Sequence, residues 1–362
     1  MDLPSLTFNP GPSKLSERTE NDLREAVELK ICEMSHRGNA FMEISREALA
    51  GLRSFFGVPE SYKIFYTSSA TEGMELTVRN LVENKSCHFT CGRFSELFTE
   101  ISESLGKKTH RISAPWGLSP DFNPAEIPPD SELITITANE TSTGVMCLNE
   151  DISRLRRACP RSLIAVDITS LAGMKTFQIA DADVWLFSVQ KGFGLPSGLG
   201  LMIVSPQAFL RSEELTHKGK NFAGLFTFEA MNRLIAYGGQ TVCTPNMLGI
   251  YLLKKKLSRW NSSGGAIAKE NETLKKAERL YKNISRHPRL KCFAQNPANR
   301  SVAVACIEGD PKDVAALHET AKAHGIQLGK GYGKLKETTF RLALFPAITE
   351  NDLERLLNVL NT

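Results

Sequence analysis

DVWLFSVQKGFGLPSGLG, residues 183–200, is the stretch that decides the fold. An apolar run ends at Ser188-Val189-Gln190-Lys191, four glycines fall within the next nine residues, and a second apolar run, LGLMIVS (199–205), begins at once. Two strands with no helix between them cannot be joined by a helical crossover, so one of them is expected to run antiparallel to its neighbours. The G-x-G spacing is not a dinucleotide site, because such a site needs a helix after the glycines and this loop leads into a strand.

Outward from this stretch, strands alternate with helices. The pattern predicts strands at 63–68, 87–91, 108–114, 133–139 and 163–170, and helices at 70–82, 94–106 and 149–159, the last with Asp151 as a capping residue. That alternation implies a mostly parallel sheet covered on both faces. Upstream lie an extended arm (1–13) and helices at 16–34 and 43–56, the second ended by Gly57 and Pro59. Downstream, helices at 246–260 and 265–286 flank an SSGG turn (262–265), and a smaller α/β unit follows with strands at 301–308 and 339–345 and helices at 310–325 and 348–360.

The bulk numbers fit a chain of two domains, or of one large domain with a smaller satellite. A chain of 362 residues with 41% hydrophobic content exceeds one ordinary compact unit. Its net charge of +4 is scattered without a long basic run, which argues against nucleic acid and leaves a small anionic substrate compatible. Eight cysteines lack C-x-x-C spacing; Cys87, His88 and Cys91 find no second ligand pair, so buried free thiols in a reducing compartment are expected, and no metal. The N-terminus lacks the layout of a signal peptide and no apolar run reaches membrane-span length, so a soluble cytoplasmic protein is expected.

Six segments carry chemistry. Lys191, at a strand end beside permissive backbone, suits a covalent aldehyde cofactor; alone it would read as a solvated loop lysine. Asp167, ending LIAVDITS (163–170), stands 24 residues earlier and can pair with the pyridine nitrogen of pyridoxal 5'-phosphate (PLP), where by itself it would read as a loop cap. YTSSATEGMEL (66–76) offers a helix N-terminus to a phosphate, or equally a plain cap built on Ser68 or Ser69. Phe94, in TCGRFSELF, can stack on a ring or pack in the core. His36 and Arg37, in EMSHRG (33–38), form a candidate carboxylate or phosphate pair against the alternative of a surface salt bridge. Arg341 interrupts the apolar strand TTFRLALF and needs an anionic partner or a cleft.

With these residues in view, the sequence resembles the phosphoserine aminotransferases, within the class V group of fold-type I PLP enzymes. The likeness runs from FNPGPSKL (8–15) to FRLALF (340–345), with EMSHRG and VQKGFGLPSGLG (189–200) the most specific matches. SSATEG (68–73) is closer to the cysteine desulfurases and other class V members. The resemblance implies Lys191 as the Schiff-base lysine, Asp167 at the pyridine nitrogen, and Phe94 in the ring-stacking place that is often tryptophan. It implies Thr141 near the cofactor hydroxyl, Thr169 and Gln190 as anchors, and Ala70, Thr71 and Glu72 as the phosphate turn. Thr244, in VCTPN, aligns with a threonine reaching the cofactor phosphate of a neighbouring subunit, with Cys243 where the family has asparagine. His36 and Arg37 match a substrate-binding pair and Arg341 the grip on the α-carboxylate. The family's further His-Arg pair for the substrate phosphate is replaced by GKGYGKLK (329–336), with Lys330, Tyr332 and Lys334 as substitutes.

The expected protein is therefore α/β, of PLP-dependent transferase fold type I, with a mostly parallel seven-stranded sheet in a large domain (14–250) and a smaller C-terminal α/β domain (251–362). The resemblance implies a homodimer that transfers an amino group between phosphoserine and 2-oxoglutarate in serine biosynthesis, with Lys191 also moving the proton. The rivals are a serine– or alanine–glyoxylate aminotransferase and, more distantly, a non-catalytic regulator keeping the fold. A desulfurase is disfavoured because no cysteine stands in an obvious mobile loop.

Overall fold

The computed structural model describes residues 4–361. Seven strands form the main sheet: β1 (Lys63–Thr67), β2 (Lys85–Thr90), β3 (Lys108–Ser113), β4 (Leu133–Thr137), β5 (Leu163–Asp167), β6 (Val184–Ser188) and β7 (Gly200–Val204). Their spatial order is β1-β7-β6-β5-β4-β2-β3. β7 runs antiparallel to both neighbours, and the other pairs are parallel. The single reversed strand is the one that follows the glycine loop without a helix.

Helices cover the sheet for the reason the sequence pattern gives. In α2 (Asn39–Phe56), Phe41, Ile44, Ala48, Leu52 and Phe55 recur at helical spacing and are buried, and Gly57 closes the helix in the left-handed region (φ 63°). α3 (Ala70–Leu81), α4 (Arg93–Ser104) and α5 (Asn149–Ala158) each follow a strand; in α5 the Asp151 carboxylate accepts from the Leu148 amide (3.3 Å), as a first-turn cap. α1 is shorter than expected (Glu17–Glu28), because Lys30 turns the chain into the left-handed region (φ 54°) before a single 3₁₀ turn. Two helices, α6 (Pro206–His217) and α7 (Phe228–Ala236), stand where the sequence reading placed no element.

The C-terminal part has its own core around a four-stranded antiparallel sheet of β8 (Lys291–Cys292), β9 (Val304–Glu308), β10 (Gly329–Lys330) and β11 (Thr339–Ala343), ordered β8-β9-β11-β10. Helices α10 (Pro311–Ala323) and α11 (Glu350–Leu360) pack on it, with Ala277, Leu280 and Ile284 of α9 (Gly265–Ile284). By contrast Ile250, Leu253, Leu257 and Trp260 of α8 (Met247–Ser262) lie in the first core, against α2. We therefore propose that the division falls at the 263–264 turn rather than at 250/251. The N-terminal arm crosses back: Leu6 and Phe8 are buried in the second core, and the arm then reaches the Lys191 loop.

Among the described residues no helix is long and apolar enough to cross a membrane, and no cluster of His, Cys, Asp or Glu could hold a metal. His88 is a core residue between Ser86 Oγ (2.8 Å) and Thr135 Oγ1 (2.7 Å), and burial holds its imidazole down to about 3. The cysteines are all free, but not all buried: Cys32, in the 3₁₀ turn after α1, and Cys243, in the loop before α8, are exposed, and Cys159 and Cys292 are half-buried.

The loop after β6 is anchored by aromatics. Phe193 stacks on Phe187 (centroids 5.5 Å, 12°) and on Trp260 of α8 (5.1 Å, 29°). Gly192 leaves room for the Ala172 carbonyl, which would lie 2.2 Å from a Cβ. Phe193→Ala is expected to lower the unfolding free energy by about 3–5 kcal/mol through the lost ring and the cavity, measured by urea unfolding; a change below about 1 kcal/mol would mean the loop is anchored elsewhere.

Candidate active site

The side chains of interest gather where the parallel strands end, the edge at which an α/β sheet presents its loops. Lys191 follows β6 directly. Its carbonyl accepts from Ser13 Oγ (2.9 Å) and from the Gly194 amide (2.8 Å), so the arm and the glycine loop both hold its backbone. Its side chain runs past Gly11, where a Cβ would come within 3.3 Å of Lys191 Cγ and Cε. Nζ donates to Thr141 Oγ1 (2.9 Å) and lies 4.9 Å from the centre of the Phe94 ring. The lysine is buried, and burial pulls its amine down to about 8, with Asp167 acting in the opposite sense and Arg341 in the same sense.

Asp167 ends β5 and is buried. Its Oδ1 accepts from the Thr169 amide (2.8 Å) and from the Thr169 hydroxyl. Burial pushes its carboxyl up, while the Thr169 bonds and the Lys191 charge hold it down. Thr141 is fixed from behind by residues the sequence reading missed: it donates to Ser170 Oγ (3.0 Å), which also receives Asn139 Nδ2 (2.7 Å) and donates to the Asn139 carbonyl (3.0 Å). With its proton directed to Ser170, Thr141 offers a lone pair to the lysine. Ser170 and Asn139 adjoin residues singled out in sequence, but only the fold shows that both are buried and face each other.

On the outer side, Phe94 lies against Tyr332 (5.7 Å, 55°), and the Arg341 guanidinium sits over the Tyr332 ring (5.3 Å). Arg341 donates through Nε to the Lys330 carbonyl (2.8 Å) and through Nη1 to the Thr141 carbonyl (3.3 Å). Among the described residues it has no carboxylate partner, and burial lowers its pKa. One expected substitute for the phosphate pair fails on register. Gly329 pairs with Arg341 and Lys330 with Phe340, so the Lys330 side chain shares the face of Phe340, a core residue, opposite to that of Arg341. Tyr332 stays on the Arg341 side, and Lys334 sits over the Trp116 ring (5.0 Å), whose indole donates to Glu96 of α4 (2.8 Å).

The expected phosphate turn is a self-capped helix start. Ser69 caps α3 by accepting from the Glu72 amide (3.1 Å), and the Ala70 amide donates to Ser188 Oγ (2.6 Å). Of the three residues read as the phosphate turn, only the exposed Thr71 has an amide without a bond among the described residues. Gln190 keeps a buried side-chain oxygen with no hydrogen-bond partner among the described residues. His36, Arg37 and Thr244 have other surroundings: Arg37 donates to Gln240 Oε1 (2.7 Å), and the exposed Thr244 lines a cavity of about 130 Å³ with Ser68 and Glu72. None of the three bonds to Lys191, Asp167 or Arg341. One chain thus assembles the lysine, the aspartate, two aromatic rings and an arginine with no carboxylate partner among the described residues, while Arg37 of the His-Arg pair is bonded to Gln240.

Comparison with known proteins gives a consistent result. The family model described as aminotransferase class-V matches residues 8–356. A phosphoserine aminotransferase of Rhodococcus jostii (strain RHA1) is 31% identical over 358 residues, covering 96% of this chain and 92% of that protein. The crystal structure of a phosphoserine aminotransferase from Cytophaga hutchinsonii superposes with a TM-score of 0.93 at 32% identity, over 99% of both chains. An aspartate aminotransferase of Thermus thermophilus shares the fold, with a TM-score of 0.85 at 23% identity and 99% and 98% coverage.

The buried amine makes a pH prediction. Its pKa falls from the ordinary 10.5 to about 8, so between these values the folded chain binds fewer protons than the unfolded one. The cost of burying the charge is complete below pH 8 and is relieved as pH rises toward 10.5. In cofactor-free protein, Lys191→Met is expected to raise stability at pH 7 by on the order of 2–3 kcal/mol. The gain should shrink through that window; a pH-independent gain in urea unfolding would contradict the burial argument.

Proposed function

The chain belongs to the class-V aminotransferases, in the phosphoserine aminotransferase family, and from that premise we propose that it is a PLP-dependent transaminase whose substrates are phosphoserine and 2-oxoglutarate, with the reverse pair glutamate and 3-phosphohydroxypyruvate. The observation that carries the reading is the buried Lys191 amine, set between Thr141 and Phe94 with Asp167 and Arg341 acting on it.

Bound PLP supplies an aldehyde that links to an amine and a protonated ring that draws electrons from the substrate carbon. The residues present fit such a group: among the described residues Gln190 has a buried oxygen without a partner and Thr71 an amide without a bond at a helix start, and Phe94 offers a flat face beside the amine. Lys191 would hold the cofactor and Asp167 would face its ring nitrogen. Phe94 would stack on the ring, and Thr141, Thr169, Gln190 and the turn at Ala70, Thr71 and Glu72 would complete the cradle. Thr169 fixes the Asp167 carboxylate through Oδ1, so the aspartate holds a set direction. With a pKa near 8 the free Lys191 amine is partly unprotonated at neutral pH, and its Nζ takes the proton from the substrate Cα. Arg341, which has no carboxylate partner among the described residues, would receive the α-carboxylate with the guanidinium N–H groups not already given to the Lys330 and Thr141 carbonyls.

His36, Arg37 and Thr244 are proposed to serve the site of a second copy. The segment leading to Thr244 exposes Phe222, Leu225 and Tyr237, apolar surface of the kind an interface covers. Cytoplasmic location belongs to the same reading. For the distal phosphate, Tyr332 and Lys334 are the proposed contacts, supported by the Arg341–Tyr332 and Lys334–Trp116 packing, and Lys330 is set aside because its register turns it to the face of Phe340.

Purified protein should carry a visible cofactor absorption band that Lys191→Ala abolishes; an unchanged spectrum would defeat the assignment. Glutamate with 3-phosphohydroxypyruvate should outpace alanine or serine with glyoxylate by at least about tenfold in kcat/KM, and the reverse ranking would favour the glyoxylate enzymes. Lys334→Ala should raise KM for the phosphorylated acceptor by several-fold, roughly the value of one partly exposed charge contact. Lys330→Ala should leave it unchanged, and equal effects in steady-state assays would mean that register does not sort them.

A further inference from the structure

Glu140 is a fully buried carboxylate that forms no salt bridge among the described residues. A buried charge in that position needs other compensation, and it has it: Glu140 accepts from the Phe94 amide with both oxygens (3.2 and 3.1 Å), from the Ser95 amide (2.9 Å) and hydroxyl (3.0 Å), and from the Ser142 amide (3.2 Å) and hydroxyl (2.6 Å). The first two of these donors belong to the start of α4, whose N-cap residue, Gly92, has no side chain to cap with. Ser142 Oγ takes the remaining early amide, that of Arg93 (3.0 Å). A residue 46 positions away thus caps the helix that carries the Phe94 ring, where the helix dipole favours a negative charge. Gly92 is what lets it in, since a Cβ there would stand 2.4 Å from Glu140 Cγ.

We propose that Glu140 is a positioning residue, setting the place of the Phe94 ring relative to Lys191 by capping α4 and holding the adjoining Thr141 in the same act. This rests on the reading of Phe94 as the ring that stacks on the cofactor. The carboxylate is required rather than its shape alone. Both oxygens meet backbone N–H groups, Oε1 those of Phe94 and Ser142, Oε2 those of Phe94 and Ser95. The isosteric amide would turn an NH₂ against one of these fixed donors in either orientation.

The test is cofactor uptake by apoenzyme, followed by absorption and by circular dichroism of the bound cofactor. Glu140→Gln should raise the Kd for PLP by about tenfold or more and weaken the cofactor's dichroic band. In a Phe94→Leu background the same substitution should change Kd by less than about threefold, because its effect passes through the ring. A lowered Tm with unchanged Kd and band would reduce Glu140 to a structural cap and overturn the proposal, as would an undiminished effect in the Phe94→Leu background. If Glu140→Gln does not fold, Ser142→Ala, which removes one donor to Glu140, decides: a raised Kd supports the proposal and an unchanged Kd overturns it. A wild-type protein that takes up no PLP would instead overturn the proposed function itself.

Discussion

The site depends on burying an amine without neutralising it. Lys191 could have been given a carboxylate at contact distance, and the pair would have held the charge and quenched its reactivity. Instead the aspartate nearest in electrostatic effect is engaged with Thr169, and the amine receives a hydroxyl lone pair from Thr141 and the face of Phe94. These contacts orient the nitrogen while leaving desolvation as the largest influence on it. A lysine so placed is basic enough to take a proton and free enough to bond to carbon.

Perturbation alone does not single it out. Lys256 and Lys276 are buried too, and burial pulls both down to about 8. Lys276 spends its donors on the carbonyls of Phe345 (2.9 Å) and Ile348 (3.0 Å), tying α9 to the chain before α11. Lys256 lies 5.5 Å from the centre of Trp260, inside the α8 packing. What separates Lys191 is convergence: Asp167 from the end of β5, Phe94 from the start of α4, Thr141 from the turn after β4 and Arg341 from β11 meet at one sheet edge. The arm contributes a further link, since Ser13 binds the backbone of Gln190 and Lys191 while Leu6 and Phe8 belong to the second core.

The alternating strands and helices of the first 205 residues could be read in sequence because most strands there are short apolar runs (LITIT, LIAVD, VWLFS, GLMIV) closed by small or polar residues, while the polar edge strand KTHRIS was marked by the helix that precedes it. The reversal of β7 followed from what is missing between 191 and 199. The stretch from 206 to 236 was not read: α6 buries a face that includes small and polar residues, Ala208 and Ser212 beside Leu215, and α7, although Phe228, Met231, Leu234 and Ile235 recur at helical spacing, spans only nine residues. The allegiance of α8 was equally hidden, since its apolar face shows that it is buried and not against which core. At the site, residue types that stand out alone were found, whereas Glu140 and Ser170 were not. Their signal lies in burial and in partners far along the chain, and an acidic residue in a polar turn looks solvated until the fold closes over it.

Register decides the remaining question of substrate shape. In a strand pair, one residue separates a side chain that faces the ligand from one that faces the core. Gly329 opposite Arg341 gives the arginine an unobstructed neighbour and turns Lys330 away, so the basic residue nearest Arg341 in the sheet cannot share its anion. Tyr332 lies under the Arg341 guanidinium and Lys334 over the Trp116 ring, a hydroxyl and a point charge in place of a forked pair. A doubly charged phosphate asks for more than that, and the chain's other arginine-bearing motif, His36-Arg37, is held by Gln240 close to the segment that carries Thr244. In the dimer proposed here both features would be delivered together to the neighbouring site. The weaker small-domain pair and the displaced His-Arg pair then become parts of one arrangement: the phosphate would be read chiefly across the subunit boundary, and the α-carboxylate within the chain by Arg341.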